Sequence, residues 1–121
     1  MPFSRDVLDL LDTTEEIHIQ TRRPDGRTPK TTIWVMVDGD DVFVRSVRGD
    51  RGHWYQAVLE DPKVTIHAAG RAIAARATAA TDDDSVARCS AAITRKYAGV
   101  PGEKSMLKPR TLETTLRLEP A

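Results

Sequence analysis

With a single cysteine among 121 residues, Cys89 has no partner within the chain; an internal disulfide is excluded and the fold must rest on burial. Excess charge of either sign is missing too. The 18 Lys and Arg balance the 18 Asp and Glu, so no global field draws the chain to nucleic acid or to an anionic membrane. Any anion it binds must be held by a local cluster. No apolar run approaches the ~20 residues that cross a bilayer, because Asp, Arg or Thr interrupts each one. Nor does a charged start lead into a long apolar stretch. The expectation is a cytoplasmic protein with neither a nucleic-acid nor a membrane partner. His18, His53 and His67 lack short metal-ligand spacing and have no cysteine companions, so a structural zinc site is not expected. Internal repeats, linkers and low-complexity segments are also missing, and the length suits one core, so residues 1–121 are read as a single domain.

What is present is mostly period-two patterning. After a short helix capped by Ser4 and running through Leu11, Ile17 and Ile19 alternate with Glu16, His18 and Gln20, which predicts a half-exposed strand from Glu16 to Arg22. A basic, Pro- and Gly-containing connection follows from Arg22 to Lys30. From Thr31 to Asp38 a strand is predicted with Ile33, Val35 and Val37 on one face and Trp34 and Met36 on the other. Both faces need cover: a closed sheet takes one, and a second subunit or a flat ligand is expected to take the other. The turn Asp38–Asp41 carries an Asp-Gly hairpin signal into a strand from Val42 to Val47. A two-turn helix from His53 to Pro62, alternating strands Val64–Gly70 and Arg71–Ala80, a helix begun by the capping box Thr81–Asp84 and ended by Gly99 and Pro101, and a strand in Thr111–Glu119 complete the order. Strands joined by hairpins outnumber helices, so a mainly β fold with some α is expected: a six-stranded, mostly antiparallel barrel with flanking helices.

The stretch Val42–Gln56, VFVRSVRGDRGHWYQ, departs from generic patterning. It runs from an apolar strand through Arg45, Ser46 and Arg48 into glycines and then Trp54 and Tyr55. Guanidinium forks, a hydroxyl and free N–H groups at a turn are the donors that a phosphate needs. Period two puts Arg45 and Ser46 on opposite faces, so Ser46 with Arg48 is the better pair. The competing reading makes Arg45 and Arg48 solvated charges paired with Asp40, Asp41 or Asp50. His53 reads as a surface histidine beside the site, and Cys89 as core packing on the last helix.

Taken together, GRTPKTTIWVMVDGDDVFVRSVRG at 26–49, WYQAVLEDPKVTIHAAGRAIAARA at 54–77 and the closing TLETTLRLEP resemble the flavin-binding split-barrel superfamily. That superfamily includes pyridoxamine 5′-phosphate oxidase-like and deazaflavin-dependent nitroreductase-like proteins, and the chain looks closest to a small bacterial family of uncharacterised function. The resemblance implies a homodimer with a site at each subunit interface, where FMN is held and a small-molecule substrate is reduced or oxidised by hydride transfer. Lys30, Thr32, Arg45, Ser46 and Arg48 would hold the phosphate. The ring would lie against Ile33, Trp34 and Val35, with Trp54 as a wall. The loop Arg22–Lys30 lacks the Ser/Thr-Gly phosphate motif of the deazaflavin branch, which puts FMN ahead of a deazaflavin. The alternative is a cofactor-free split barrel that binds a small ligand or serves as an interaction module.

Overall fold

The computed structural model describes residues 2–121. Helix α1, Arg5–Thr13, starts where Ser4 accepts a hydrogen bond from the Val7 N–H at 3.3 Å, and buries Val7, Leu8 and Leu11. Strands β1 (Glu16–Gln20), β2 (Lys30–Trp34), β3 (Met36–Asp38) and β4 (Asp41–Val44) follow. Helix α2 (His53–Glu60), strands β5 (Lys63–Ala68) and β6 (Arg71–Ala79), and helix α3 (Asp83–Lys96) come next. A short helix α4 (Pro109–Leu112) leads into β7 (Leu116–Pro120). The cap of α3 lies one residue beyond the Thr81 of the expected capping box: the Asp82 carboxylate accepts from the Ser85 N–H at 3.1 Å.

All seven strands form one sheet in the order β2-β1-β5-β6-β7-β4-β3, and every pairing is antiparallel. The two ends of that order, β2 and β3, are consecutive in the chain with only Val35 between them. Laid flat, seven strands would span about 29 Å between the outer two, whereas one residue reaches about 3.5 Å. The sheet must therefore curl until its ends meet, and the result is a barrel. This also explains the strand count: the expected strand Thr31–Asp38 is divided at Val35, which gives seven strands rather than six. The C-terminal strand β7 lies inside the sheet, between β6 and β4, with Leu116 and Leu118 buried.

Alternation then sorts the apolar side chains into two clusters. Ile17, Ile19, Ile33, Val35, Val42, Val44, Ile66, Ala75 and Leu118 belong to the larger one, which α1 and α2 join through Leu8, Leu11, Trp54 and Val58. The opposite face of β3 and β4 carries Met36 and Phe43, directly paired across the ladder and covered by Cys89, Ala92, Ile93 and Tyr97 of the α3 region. The cover for Met36, expected from a second subunit or a ligand, thus comes from the chain's own helix. Burial pushes the Cys89 thiol up to about 12, so it stays protonated and acts as packing.

The break at Val35 frees a backbone N–H and C=O inside the protein, and both are satisfied from the end of α3. The Tyr97 hydroxyl accepts from the Val35 N–H at 3.2 Å and lies 2.6 Å from the Glu15 carbonyl, to which it donates. Lys96 Nζ donates to the carbonyls of Val35, Leu11 and Thr14 at 2.8–2.9 Å, tying the junction to the end of α1. Arg95 donates to the Val37 carbonyl at 2.7 Å. Removing only the hydroxyl isolates this role, because phenylalanine keeps the ring. Tyr97→Phe should lower stability by about 1–3 kcal/mol, read as a reduced urea midpoint at unchanged m-value; an unchanged midpoint would show that Val35 needs no such partner.

Candidate functional site

The ladder between β3 and β4 pairs Asp38 with Asp41, Val37 with Val42 and Met36 with Phe43. Continued in the same register, it would oppose Trp34 to Arg45 and Ile33 to Ser46. It does not continue. Beyond Val44 the chain leaves the sheet, and β2 keeps β1 as its sole hydrogen-bonded neighbour among the described residues. The barrel is split there, and the split is a cavity of about 510 Å³, with β2 on one side and the Arg45–Arg48 segment and the start of α2 on the other.

Arg45 is the first residue past the end of β4. Its side chain turns into the protein, 1% exposed, and donates from Nε to Thr115 Oγ1 at 2.8 Å, from Nη1 to the Met106 carbonyl at 3.1 Å and from Nη2 to the Val86 carbonyl at 2.9 Å. Burial lowers its pKa, yet a guanidinium remains charged at neutral pH. These bonds join the end of β4 to three separate segments, so the guanidinium acts as a cross-brace. Ser46 comes next, held by its own N–H, which donates to Thr114 Oγ1 at 2.9 Å. The Ser46 hydroxyl is buried beside the cavity without any hydrogen-bond partner. Buried hydroxyls are rarely left so, and one at a cavity wall marks a place where a ligand or water atom belongs.

The walls are aromatic. Trp34 stacks on Tyr97 with centroids 4.0 Å apart and planes 3° from parallel, which fixes one indole face and leaves its rim toward the cavity. Gly102 sits at the indole edge, where a Cβ would come within 3.7 Å of Trp34 Cη2. Trp54, in the first turn of α2, is buried and meets Tyr55 edge to face at 6.2 Å. Thr31 and Thr32 supply hydroxyls from β2, and Arg48 stands exposed at the mouth.

Residues 7–118 match the model of a family described as "Uncharacterized protein conserved in bacteria (DUF2255)". The chain belongs to this family. No curated protein matches the DUF2255 chain in sequence. Solved structures do resemble it. The heme storage protein HutZ from Vibrio cholerae superposes with a TM-score of 0.71 at 14% identity, over 100% of this chain and 92% of that one. A putative pyridoxamine 5′-phosphate oxidase from Listeria innocua gives 0.64 at 12% identity, over 93% and 87%. An F420 reductase gives 0.63 at 18%, over 100% and 96%. At these identities the likeness establishes the fold, the split barrel with flanking helices.

Of the residues expected at the site of this DUF2255 protein, Thr32, Trp34, Arg45, Ser46, Arg48 and Trp54 line the one cavity. Lys30 does not: it starts β2 opposite Gln20, exposed and away from the cavity lining. Arg45 lines the wall with its three nitrogens already engaged. The competing pairing of Arg45 and Arg48 with Asp40, Asp41 or Asp50 does not form among the described residues. Asp38 and Asp41 are taken by Arg88 of α3, at 2.5 and 2.8 Å, and Asp41 lies 3.7 Å from Arg117 of β7. Sequence reading missed Gly102 and Met106 on the cavity wall, because the segment after α3 carries no period that would place it.

Gly52 is needed for closeness. A Cβ there would collide with Ser46 Oγ. Gly52→Ala should cost about 1–3 kcal/mol as overpacking, and adding Ser46→Ala should recover most of it, since the colliding atom is gone. Equilibrium unfolding of the two single variants and the double variant measures that coupling; strict additivity would mean that the two residues do not meet.

Proposed function

We propose that this protein is an FMN-dependent oxidoreductase that works as a homodimer in the cytoplasm on a small, planar molecule. The observation that carries this reading is the unpartnered Ser46 hydroxyl at the wall of a roughly 510 Å³ cavity that also holds two indoles and an unpaired strand edge. That volume is typical of sites that enclose cofactor-sized ligands. The residues present fit a flat ring bearing a phosphate. The free edge of β2 offers backbone N–H and C=O groups to the polar rim of a ring, and the Thr31 and Thr32 hydroxyls stand on the same strand. Trp34, held by Tyr97, gives a rigid apolar flank, and Trp54 adds a second, buried indole to the lining. Arg48 at the mouth suits the phosphate, with Ser46 as a further donor. The structural neighbours are named for heme, F420 and pyridoxamine phosphate, ligands that share a conjugated flat system with anionic substituents.

A bound flavin would supply the hydride chemistry itself. The chain's task is then to orient the ring against β2, hold its phosphate outward and keep bulk water from the inner wall. Two features support a dimer. Val47 is 51% exposed beside the cavity mouth, and the outward face of β6 presents the small side chains Ala72 and Ala74, which permit close approach of a second sheet.

Titration of the purified protein with FMN, a deazaflavin and riboflavin tests the reading, with light scattering on the same samples. The expected mass is twice the 13.4 kDa of the chain. FMN should bind with a perturbed visible spectrum, and Arg48→Ala should weaken FMN by about tenfold or more while leaving riboflavin nearly unchanged, because only FMN presents a phosphate. Failure of both FMN and the deazaflavin to bind would sink the enzyme reading in favour of a cofactor-free ligand-binding barrel.

A further inference from the structure

The cations that brace the fold are each tied to an acceptor: Arg45, Arg95 and Lys96 to backbone or hydroxyl oxygens, Arg88 and Arg117 to carboxylates. Four others converge without any such partner among the described residues. Arg48, Arg51, Lys108 and Arg110, with Ser105, line a second recess of about 430 Å³, and no carboxylate lines it. Two segments distant in sequence build it, 47–51 and 105–110. The turn at Gly49–Arg51 brings Arg51, the turn at Lys104–Leu107 brings Ser105, and the start of α4 brings Lys108 and Arg110. The Gly49 backbone comes so close to α4 that a Cβ there would lie 3.4 Å from the Arg110 carbonyl. In a chain of balanced charge, four like charges gathered around one concavity repel one another, and an anion relieves that repulsion.

The recess shares Val47 and Arg48 with the larger cavity, so the two are continuous. One phosphate monoester carries about −1.5 to −2 charge, which Arg48 and one neighbour already satisfy; four cations and a hydroxyl exceed it. We propose that the recess is an oligoanion subsite. It takes a small anion bearing two or more phosphate or carboxylate groups, which shares Arg48 with the phosphate of a flavin in the larger cavity. The sharing of Arg48 rests on the flavin reading, whereas the anion site rests on the recess alone.

Inorganic tripolyphosphate is the probe, titrated against the full chain at fixed ionic strength by calorimetry and thermal melting, first alone and then in the presence of FMN. It should raise Tm saturably and bind much more tightly than orthophosphate. Its affinity should fall by about tenfold or more for each arginine removed in Arg51→Gln/Arg110→Gln, with riboflavin affinity unchanged in that variant. Saturating tripolyphosphate should also weaken FMN, since both reach Arg48. Lys108→Gln, at an exposed position, gives the same reading if the double variant melts early. Equal tripolyphosphate affinity in wild type and variants would overturn the subsite. Binding at the recess that leaves FMN affinity untouched would assign it to a separate anion and overturn the sharing of Arg48. A tripolyphosphate response lost in the variants, together with no flavin binding at all, would remove the flavin reading and the sharing with it while keeping the anion subsite.

Discussion

The structure depends on what happens at Val35. A strand that belongs to both ends of the sheet must stop pairing on one side and start on the other, and at that residue neither ladder can supply its backbone partners. In a buried place each unpaired group costs about 1–3 kcal/mol. Tyr97 and Lys96, adjacent at the end of α3, supply the missing acceptor and donor, and Lys96 also collects the carbonyls of Leu11 and Thr14. One helix end thus closes the barrel and docks α1 at the same point. The stacking of Trp34 on Tyr97 follows from the same junction, so the indole at the cavity wall is fixed as a by-product of closure.

The cavity has a similar origin. A barrel of this topology would seal if β4 continued along β2, but β4 ends at Val44. The next side chain, Arg45, is anchored inside the protein to Thr115, Met106 and Val86, which holds the departing chain to three other segments. The next residue inherits the consequence. Ser46 is fixed by Thr114 on its backbone side and by Gly52 on its side-chain side, which leaves its hydroxyl immobilised and unpaired at the opening. Preorganised donors of this kind bind without the entropic cost of being ordered by the ligand.

How much of this was legible in the sequence depended on range. Period two located the strands, and the Asp-Gly turn located the hairpin between β3 and β4, because both signals lie within a few residues. The two-faced strand Thr31–Asp38 was read as needing outside cover, and its division at Val35 was invisible: the residues that make the break tolerable lie 61 and 62 positions away, in α3. Ser46 and Arg48 were recognisable as donors near a turn. The inward turn of Arg45 was not, since an arginine beside a strand end is ordinarily solvated, and its three acceptors come from α3, the turn before α4 and the approach to β7. Lys30 was drawn in by family resemblance, and the register with Gln20 then carries it to the far end of β2, clear of the cavity.

Charge completes the division of labour. With equal numbers of acids and bases, the chain could have neutralised every cation locally, and around the hairpin it does so: Arg88 and Arg117 flank Phe43 at 5.7 Å from its ring and draw Asp38 and Asp41 to themselves. Buried cations are satisfied by neutral oxygens rather than carboxylates, as Lys96 shows: burial pulls its pKa down to about 8, while three carbonyls hold the ammonium in place. Cations without an acid partner gather instead at the mouth of the split, where Arg48, Arg51, Lys108 and Arg110 line one recess. A net charge of zero excludes a global field but not a local cluster, and the close approach of α4 to the Gly49–Arg51 turn decides which cations gather there.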